Sequence, residues 1–146
     1  TNNGSTTPVA GDWRRVVFSG NGAASSTLNY VLAKYGGSGG LGAINVVNTS
    51  ITVQNSTFDN NYSRGLYLDG SSLTSIVALT FKNHRSPDPG EPEGLHLKDS
   101  TPTLTDVKFD NNKFGIIAEG SSSVTNGGGI TFTNNTTNTV PSNLIP

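Results

Sequence analysis

The sequence predicts an all-β fold, a single-stranded parallel β-solenoid of about five coils. Five aromatic residues recur at intervals of 23, 23, 28 and 23 residues: Tyr35, Phe58, Phe81, Phe109 and Phe132. The four phenylalanines lie in similar short segments: STFDNN at 56–61, LTFKNH at 79–84, VKFDNN at 107–112 and ITFTNN at 130–135. Such a period, without a helical pattern, is typical of one solenoid coil per repeat. We therefore expect the five aromatic side chains to form one internal stack.

Two strands are predicted in each coil. The first has apolar residues at its second and fourth positions, and strand alternation directs both into the core. These pairs are Ile44 and Val46, Leu66 and Leu68, Leu95 and Leu97, and Ile116 and Ala118. A glycine precedes three of the pairs, where we expect a sharp bend. The second strand ends at the recurring aromatic residue, and residues 15–18 are interpreted as the first strand of an earlier coil.

An asparagine follows each recurring phenylalanine by two positions. The four residues are Asn60, Asn83, Asn111 and Asn134. Parallel coils stack about 4.8 Å apart, so amide side chains in register can hydrogen-bond along the solenoid axis. We predict an asparagine ladder at these positions, and the alternative is ordinary asparagine in turns.

The chain is predicted to divide into a lead-in at 1–10, a β-helix at 11–137 and a C-terminal tail or cap at 138–146. The third coil is five residues longer than its neighbours, and the extra chain falls within HRSPDPGEPE at 84–93. Prolines and a glycine there predict an exposed loop.

A net charge of −1 gives no reason to expect nucleic acid as a partner. No apolar run approaches the roughly 20 residues of a membrane-spanning helix.

Cysteine and methionine are both absent. Without cysteine, disulfides, thiol catalysis and zinc–thiolate sites are excluded. A start at TNNGSTTP instead of methionine is expected of a mature or excised segment. Together these features favour a secreted or cell-surface location.

Three segments carry a resemblance to a known superfold. SITVQNSTFDNN, PTLTDVKFDNN and RGLYLDGSS resemble coils of secreted right-handed parallel β-helix proteins, which include pectate lyases, rhamnogalacturonases and phage tailspikes. The opening, GDWRRVVFSGNGAASSTLNYVLAKYGG, resembles the first coil of uncharacterised surface proteins of that group. The resemblance covers roughly residues 11–137 and implies a right-handed β-helix. Enzymes of the group carry long grooves with acidic clusters or paired carboxylates, and this chain has neither outside its long loop.

Charged residues alternate in sign from coil to coil, as in Asp59, Lys82 and Asp110. Opposite charges on neighbouring strands stabilise a sheet, so we interpret these columns as structural. The richest chemistry surrounds the long loop, in a candidate interaction patch of Lys82, His84, Arg85, Asp88, Glu91, Glu93 and His96. No catalytic residue, metal site or cofactor is predicted.

The favoured function is therefore a non-catalytic extracellular structural or adhesive module. The alternative is a module that binds or cleaves polysaccharide through the interaction patch. The apolar residues Val140, Leu144 and Ile145 form a candidate assembly tail, which either folds over the last coil or reaches into a neighbour. Open solenoid ends promote association, so we expect end-to-end contact with another copy, as in a filament or surface layer, or with an adjoining domain.

Overall fold

The structure is a computed structural model that describes residues 7–85 and 92–145. Sixteen short strands follow one another in these ranges, with one 3₁₀ turn at Asn21–Ala23. The strands are β1 (Val16–Ser19), β2 (Thr27–Asn29), β3 (Leu32–Lys34), β4 (Gly42–Val47), β5 (Thr52–Gln54), β6 (Thr57–Asp59), β7 (Arg64–Asp69), β8 (Ser75–Val77), β9 (Thr80–Lys82), β10 (Glu93–Lys98), β11 (Thr103–Thr105), β12 (Lys108–Asp110), β13 (Phe114–Glu119), β14 (Thr125–Asn126), β15 (Thr131–Thr133) and β16 (Thr137–Val140).

Three parallel sheets wrap around one core, and each coil gives one strand to each sheet. The first sheet has the order β1-β4-β7-β10-β13-β16, the second β14-β11-β8-β5-β2 and the third β15-β12-β9-β6-β3. Five complete coils and a sixth strand of the first sheet result, which confirms the predicted parallel β-helix. The prediction of two strands per coil is wrong, because the segment that ends at each phenylalanine bends midway and forms two strands. The first sheet also extends past residue 137, since β16 ends at Val140.

Each of the three corners of a coil is turned by one residue with a left-handed backbone. Their φ angles lie between 46° and 70°, a region that glycine, asparagine and aspartate adopt most readily. The first corner uses Asn48, Gly70, Asp99 and Gly120, the second Tyr30, Asn55, Ala78, Asp106 and Gly129, and the third Tyr35, Asn60, Asn83, Asn111 and Asn134. The corner N–H groups still bond to the next coil, as from Asn60 to the Lys82 carbonyl at 3.0 Å. The chain therefore turns without interrupting the bonding between coils.

The phenylalanine stack fills the core behind the third sheet. Phe58, Phe81, Phe109 and Phe132 are in register, and successive ring centroids lie 5.0, 5.1 and 5.0 Å apart. Tyr35 does not belong to the stack, which corrects the prediction. Ala33 is the partner of Phe58, and Tyr35 turns the third corner with a φ of 61°. The glycine-rich connection at 36–42 lengthens the first repeat, so the interval of 23 residues from Tyr35 joins two different positions of the coil.

Recurring glycines at the start of the first-sheet strands make room for this stack. A Cβ on Gly94 would lie 2.8 Å from the Phe81 Cβ, and one on Gly65 would lie 3.0 Å from the Phe58 Cβ. Neither glycine has a left-handed φ. These positions therefore require glycine because the phenylalanine side chains pack closely against them. The prediction that glycine is needed there for a sharp bend is wrong.

Among the described residues, the two ends of the β-helix differ in how well they are covered. At the C-terminal end, Leu144 is buried in the core cluster and Ile145 packs against it. At the N-terminal end, Val16 occupies a core-facing column with Ile44, yet it is half exposed. No helix among the described residues has the length and hydropathy needed to cross a membrane.

Candidate functional site on the first sheet

The predicted asparagine ladder is only partly connected. Asn111 Nδ2 donates to Asn83 Oδ1 at 2.8 Å, but Asn83 Nδ2 donates to Asp59 Oδ1 at 2.8 Å. Asn134 Nδ2 likewise lies 3.4 Å from Asp110 Oδ1. These amides therefore link coils mostly through the aspartates of the third sheet and not through one another.

A continuous ladder forms one position later along the chain, inside the core. Its members are Asn61, His84, Asn112 and Asn135. Asn61 Nδ2 lies 3.2 Å from His84 Nε2, His84 Nδ1 lies 2.8 Å from Asn112 Oδ1, and Asn112 Nδ2 donates to Asn135 Oδ1 at 3.0 Å. The left-handed residue before each member turns its side chain inward. The repeated NN dipeptide carries this signal, since the first asparagine turns the corner and the second enters the core.

His84 is therefore an interior residue and not part of a surface patch. It is fully buried, and burial lowers the pKa of its imidazole to about 4. The other predicted patch residues are also dispersed. Lys82 lies on the third sheet within salt-bridge distance of Asp59 at 3.9 Å, and Arg85 donates to the carbonyls of Asn111 and Asn134. Asp88 and Glu91 lie outside the described residues.

Glu93 and His96 are the two patch residues that the structure brings together. Both are buried on the outer side of the first sheet, where Glu93 Oε2 lies 2.6 Å from His96 Nδ1. Arg64 on the preceding coil approaches the other Glu93 oxygen at 3.3 Å. On the following coil, Glu119 Oε2 lies 3.8 Å from His96 Nε2. The result is a row of polar contacts across three coils: Arg64, Glu93, His96 and Glu119.

A second polar group flanks this chain. The Tyr67 ring packs against the His96 ring in a tilted arrangement, with ring centroids 5.2 Å apart and an interplanar angle of 35°, and its hydroxyl lies 3.1 Å from Asp69 Oδ2. Lys98 Nζ donates to the same Asp69 oxygen at 3.3 Å. The sequence alternation of Asp69, Lys98 and Glu119 thus reflects strand register.

Burial sets the electrostatics of this face. It raises the pKa of Glu93, although His96 and Arg64 act in the opposite direction. Burial and then the hydrogen bond to Asp69 raise the pKa of Tyr67 to about 12. On the third sheet burial would raise the pKa of Asp59, but Asn83, Lys34 and Lys82 together hold it below its usual value.

Among the described residues, Glu119 is the carboxylate beside His96 that faces solvent, with 56 % of its side chain exposed. Within residues 7–85 and 92–145, no pocket is formed. No group of three or more acidic or histidine side chains in that part of the chain is arranged to hold a metal ion. The chemistry that this arrangement offers is recognition of charged or polar groups by the exposed Glu119 carboxylate.

Comparisons with known proteins identify the architecture. Neither the curated proteins nor the solved structures gave a match to the chain. Residues 42–145 match the protein family described as the right-handed beta helix region. The match covers well over half of the chain and four of its five complete coils. The chain therefore belongs to the right-handed β-helix family.

Proposed function

We propose that this β-helix is a non-catalytic structural or adhesive module of the cell exterior, and that it associates through its N-terminal end. The observation that carries the proposal is the contrast between the ends. The strands β1, β2 and β3 each pair with one other strand only among the described residues, and on β3 the Lys34 carbonyl also accepts from Trp13 Nε1 at 2.6 Å. Val17 and Leu32, which project outward from that coil, are 50 % and 62 % exposed. Free strand edges beside apolar side chains promote association with another sheet edge.

The pairing of charges supports a structural role. Lys34 and Lys82 lie on either side of Asp59, Lys98 pairs with Asp69, and Arg64 pairs with Glu93. Each pair joins neighbouring coils, so the charges secure register between coils. The cysteine-free, threonine-rich and asparagine-rich composition agrees with an extracellular setting.

The test is the oligomeric state of the full chain by light scattering across a range of concentrations. We expect concentration-dependent association that is lost in the double variant Val17→Lys, Leu32→Lys. Leu73→Lys is the matched control, because Leu73 is 86 % exposed at a corner of the third coil and away from the end. A wild-type chain that stays monomeric at high concentration would overturn the proposed association.

A module that binds or cleaves polysaccharide is the second candidate, and the charged row on the first sheet favours it. Binding would use the exposed Glu119 beside the buried His96. Under the main proposal, incubation with pectin, alginate or xylan releases no reducing or unsaturated ends. Turnover or retardation in polysaccharide gels that is abolished by Glu119→Gln, but not by Lys108→Ala on the third sheet, would favour the second candidate.

A further inference from the structure

His84 replaces an asparagine in an otherwise all-amide interior ladder. The imidazole is enclosed between Asn61 on the preceding coil and Asn112 on the following coil. A glycine at 65 leaves space for it, because a Cβ there would lie 2.9 Å from His84 Nε2. His84 also ties the two coils through the backbone, since its N–H donates to Asn112 Oδ1 at 3.1 Å and its carbonyl accepts from Lys113 at 2.8 Å.

The neighbours of the imidazole fix one neutral tautomer. Asn112 Oδ1 can only accept, so His84 Nδ1 carries the proton. On the other side, Asn61 Oδ1 accepts from the Gly36 N–H at 2.9 Å and Asn61 Nδ2 donates to the Ala33 carbonyl at 3.1 Å. These bonds orient the Asn61 amide with its NH₂ toward His84, so Nε2 must accept. A proton on Nε2 would face the Asn61 N–H donor, and the described residues place no acceptor within its reach.

Rotation of the Asn61 amide could remove this contact between two donors, but only at a cost in hydrogen bonds. A flipped amide would present Oδ1 to the imidazolium, but it would lose its bonds to Gly36 and Ala33. Asp59 on β6 is the charged residue whose field acts on His84, and it favours protonation. The other groups in contact are the neutral amides of Asn61 and Asn112, and burial disfavours the charged imidazole more strongly.

We infer that His84 is an acid-sensitive joint in the β-helix, at which a proton taken from solvent by Nε2 breaks the interior ladder and loosens the coils on either side. The unfolded chain takes up this proton first, since its histidine has the ordinary pKa of 6.5, whereas the folded value is about 4. Stability therefore falls as the pH drops from about 6.5 to about 4, and it does not fall further from this cause below that range.

The experiment measures denaturant unfolding from pH 7.5 to pH 4 for the full chain, His84→Asn and His96→Asn. The wild-type unfolding constant should rise on the order of 100-fold more than that of His84→Asn, as expected for a pKa lowered by this amount. His96→Asn, which removes the other histidine, should keep the rise. Equal pH profiles for the wild type and His84→Asn would overturn the inference.

A second measurement applies even where a variant does not fold. Long-range ¹H–¹⁵N correlation spectra of the wild type should show His84 protonated on Nδ1 and bare on Nε2 from pH 7.5 down to pH 5. Amide exchange at Lys113, corrected for its intrinsic pH dependence, should accelerate towards pH 4 before that of Thr57 in β6. An Nε2-protonated tautomer, or titration of His84 near pH 6.5 in the folded chain, would contradict the inference that His84 makes the β-helix sensitive to acid.

Discussion

The inner and outer columns of the same strands follow different rules. Inward positions repeat one kind of residue from coil to coil, as in the four stacked phenylalanines or the ladder of Asn61, Asn112 and Asn135. Outward positions alternate in charge, as in Asp69, Lys98 and Glu119. Buried neighbours gain from identical shapes and from chained amides. Half-exposed ion pairs contribute little each, so the stability of the fold should reside in the inner columns.

The largest loss is expected from Phe109→Ala. The ring packs between Phe81 and Phe132, and truncation of a buried phenylalanine costs about 3–5 kcal/mol. Tyr35→Ala is the control, because Tyr35 lies 23 residues before Phe58 but outside the stack. It should lower the free energy of unfolding far less. Equal losses in denaturant unfolding would contradict the assignment of the stack.

Asn112→Ala should rank next, at roughly 3 kcal/mol. Its side chain accepts from His84 and donates to the Phe81 carbonyl at 3.0 Å and to Asn135. Its loss leaves several buried groups without a partner, each costing about 1–3 kcal/mol. Asn111→Gly, which removes the outer amide and keeps the left-handed corner, should cost less than half as much by thermal unfolding.

Removal of the C-terminal residues after Asn138 should destabilise the β-helix by about 2 kcal/mol, roughly the value of one buried leucine. Leu144 is part of the chain's own core, so of the two roles predicted for the tail, folding over the last coil is the one the structure favours. Association should persist in the truncated chain if the N-terminal end is the contact. Loss of association with no loss of stability would instead assign the contact to the tail.

A gain of about 0.5–1 kcal/mol is expected from Ala78→Asn. Ala78 turns the second corner with a φ of 53°, a conformation that costs an alanine more than an asparagine. The preceding coil has Asn55 at the equivalent corner. Ala24→Asn is the control, because Ala24 is exposed and its φ of −58° lies outside the left-handed region, and it should leave the melting temperature unchanged.

The smallest effect is expected on the outside. Lys98→Ala removes one partly exposed salt bridge to Asp69 and should cost about 0.2–1 kcal/mol. The loss should shrink in 1 M salt, where exposed pairs are screened. Lys108→Ala, at a position without a salt bridge among the described residues, gives the baseline. A loss of several kcal/mol at Lys98 would break the distinction between inner and outer columns.

The architecture could be predicted from the sequence because Phe58, Phe81, Phe109 and Phe132 lie in similar short sequence segments. Such a repeat can be recognised without knowing which distant residues are in contact. The ladder position was missed by one residue, since strand alternation does not foresee that a left-handed Asn60 turns Asn61 inward. Glu93 and His96 were both placed in the candidate patch, yet their contact was not foreseen. Residues three apart in a regular strand face opposite sides, but here Gly94 lies against Phe81 with no register partner, and both Glu93 and His96 lie on the outer face.

The direction of the hydrogen bonds between coils has a mechanical consequence. In all three sheets these bonds run along the axis of the β-helix, so a pull on its two ends loads the bonds of one rung at a time. Rupture should then proceed coil by coil, like the opening of a zipper, and not in one event. A coil of 23 residues would release about 80 Å of extended chain, and a longer coil would release more. A force-extension trace should therefore show a series of separate steps, one for each coil, with larger steps from the longer first and third coils.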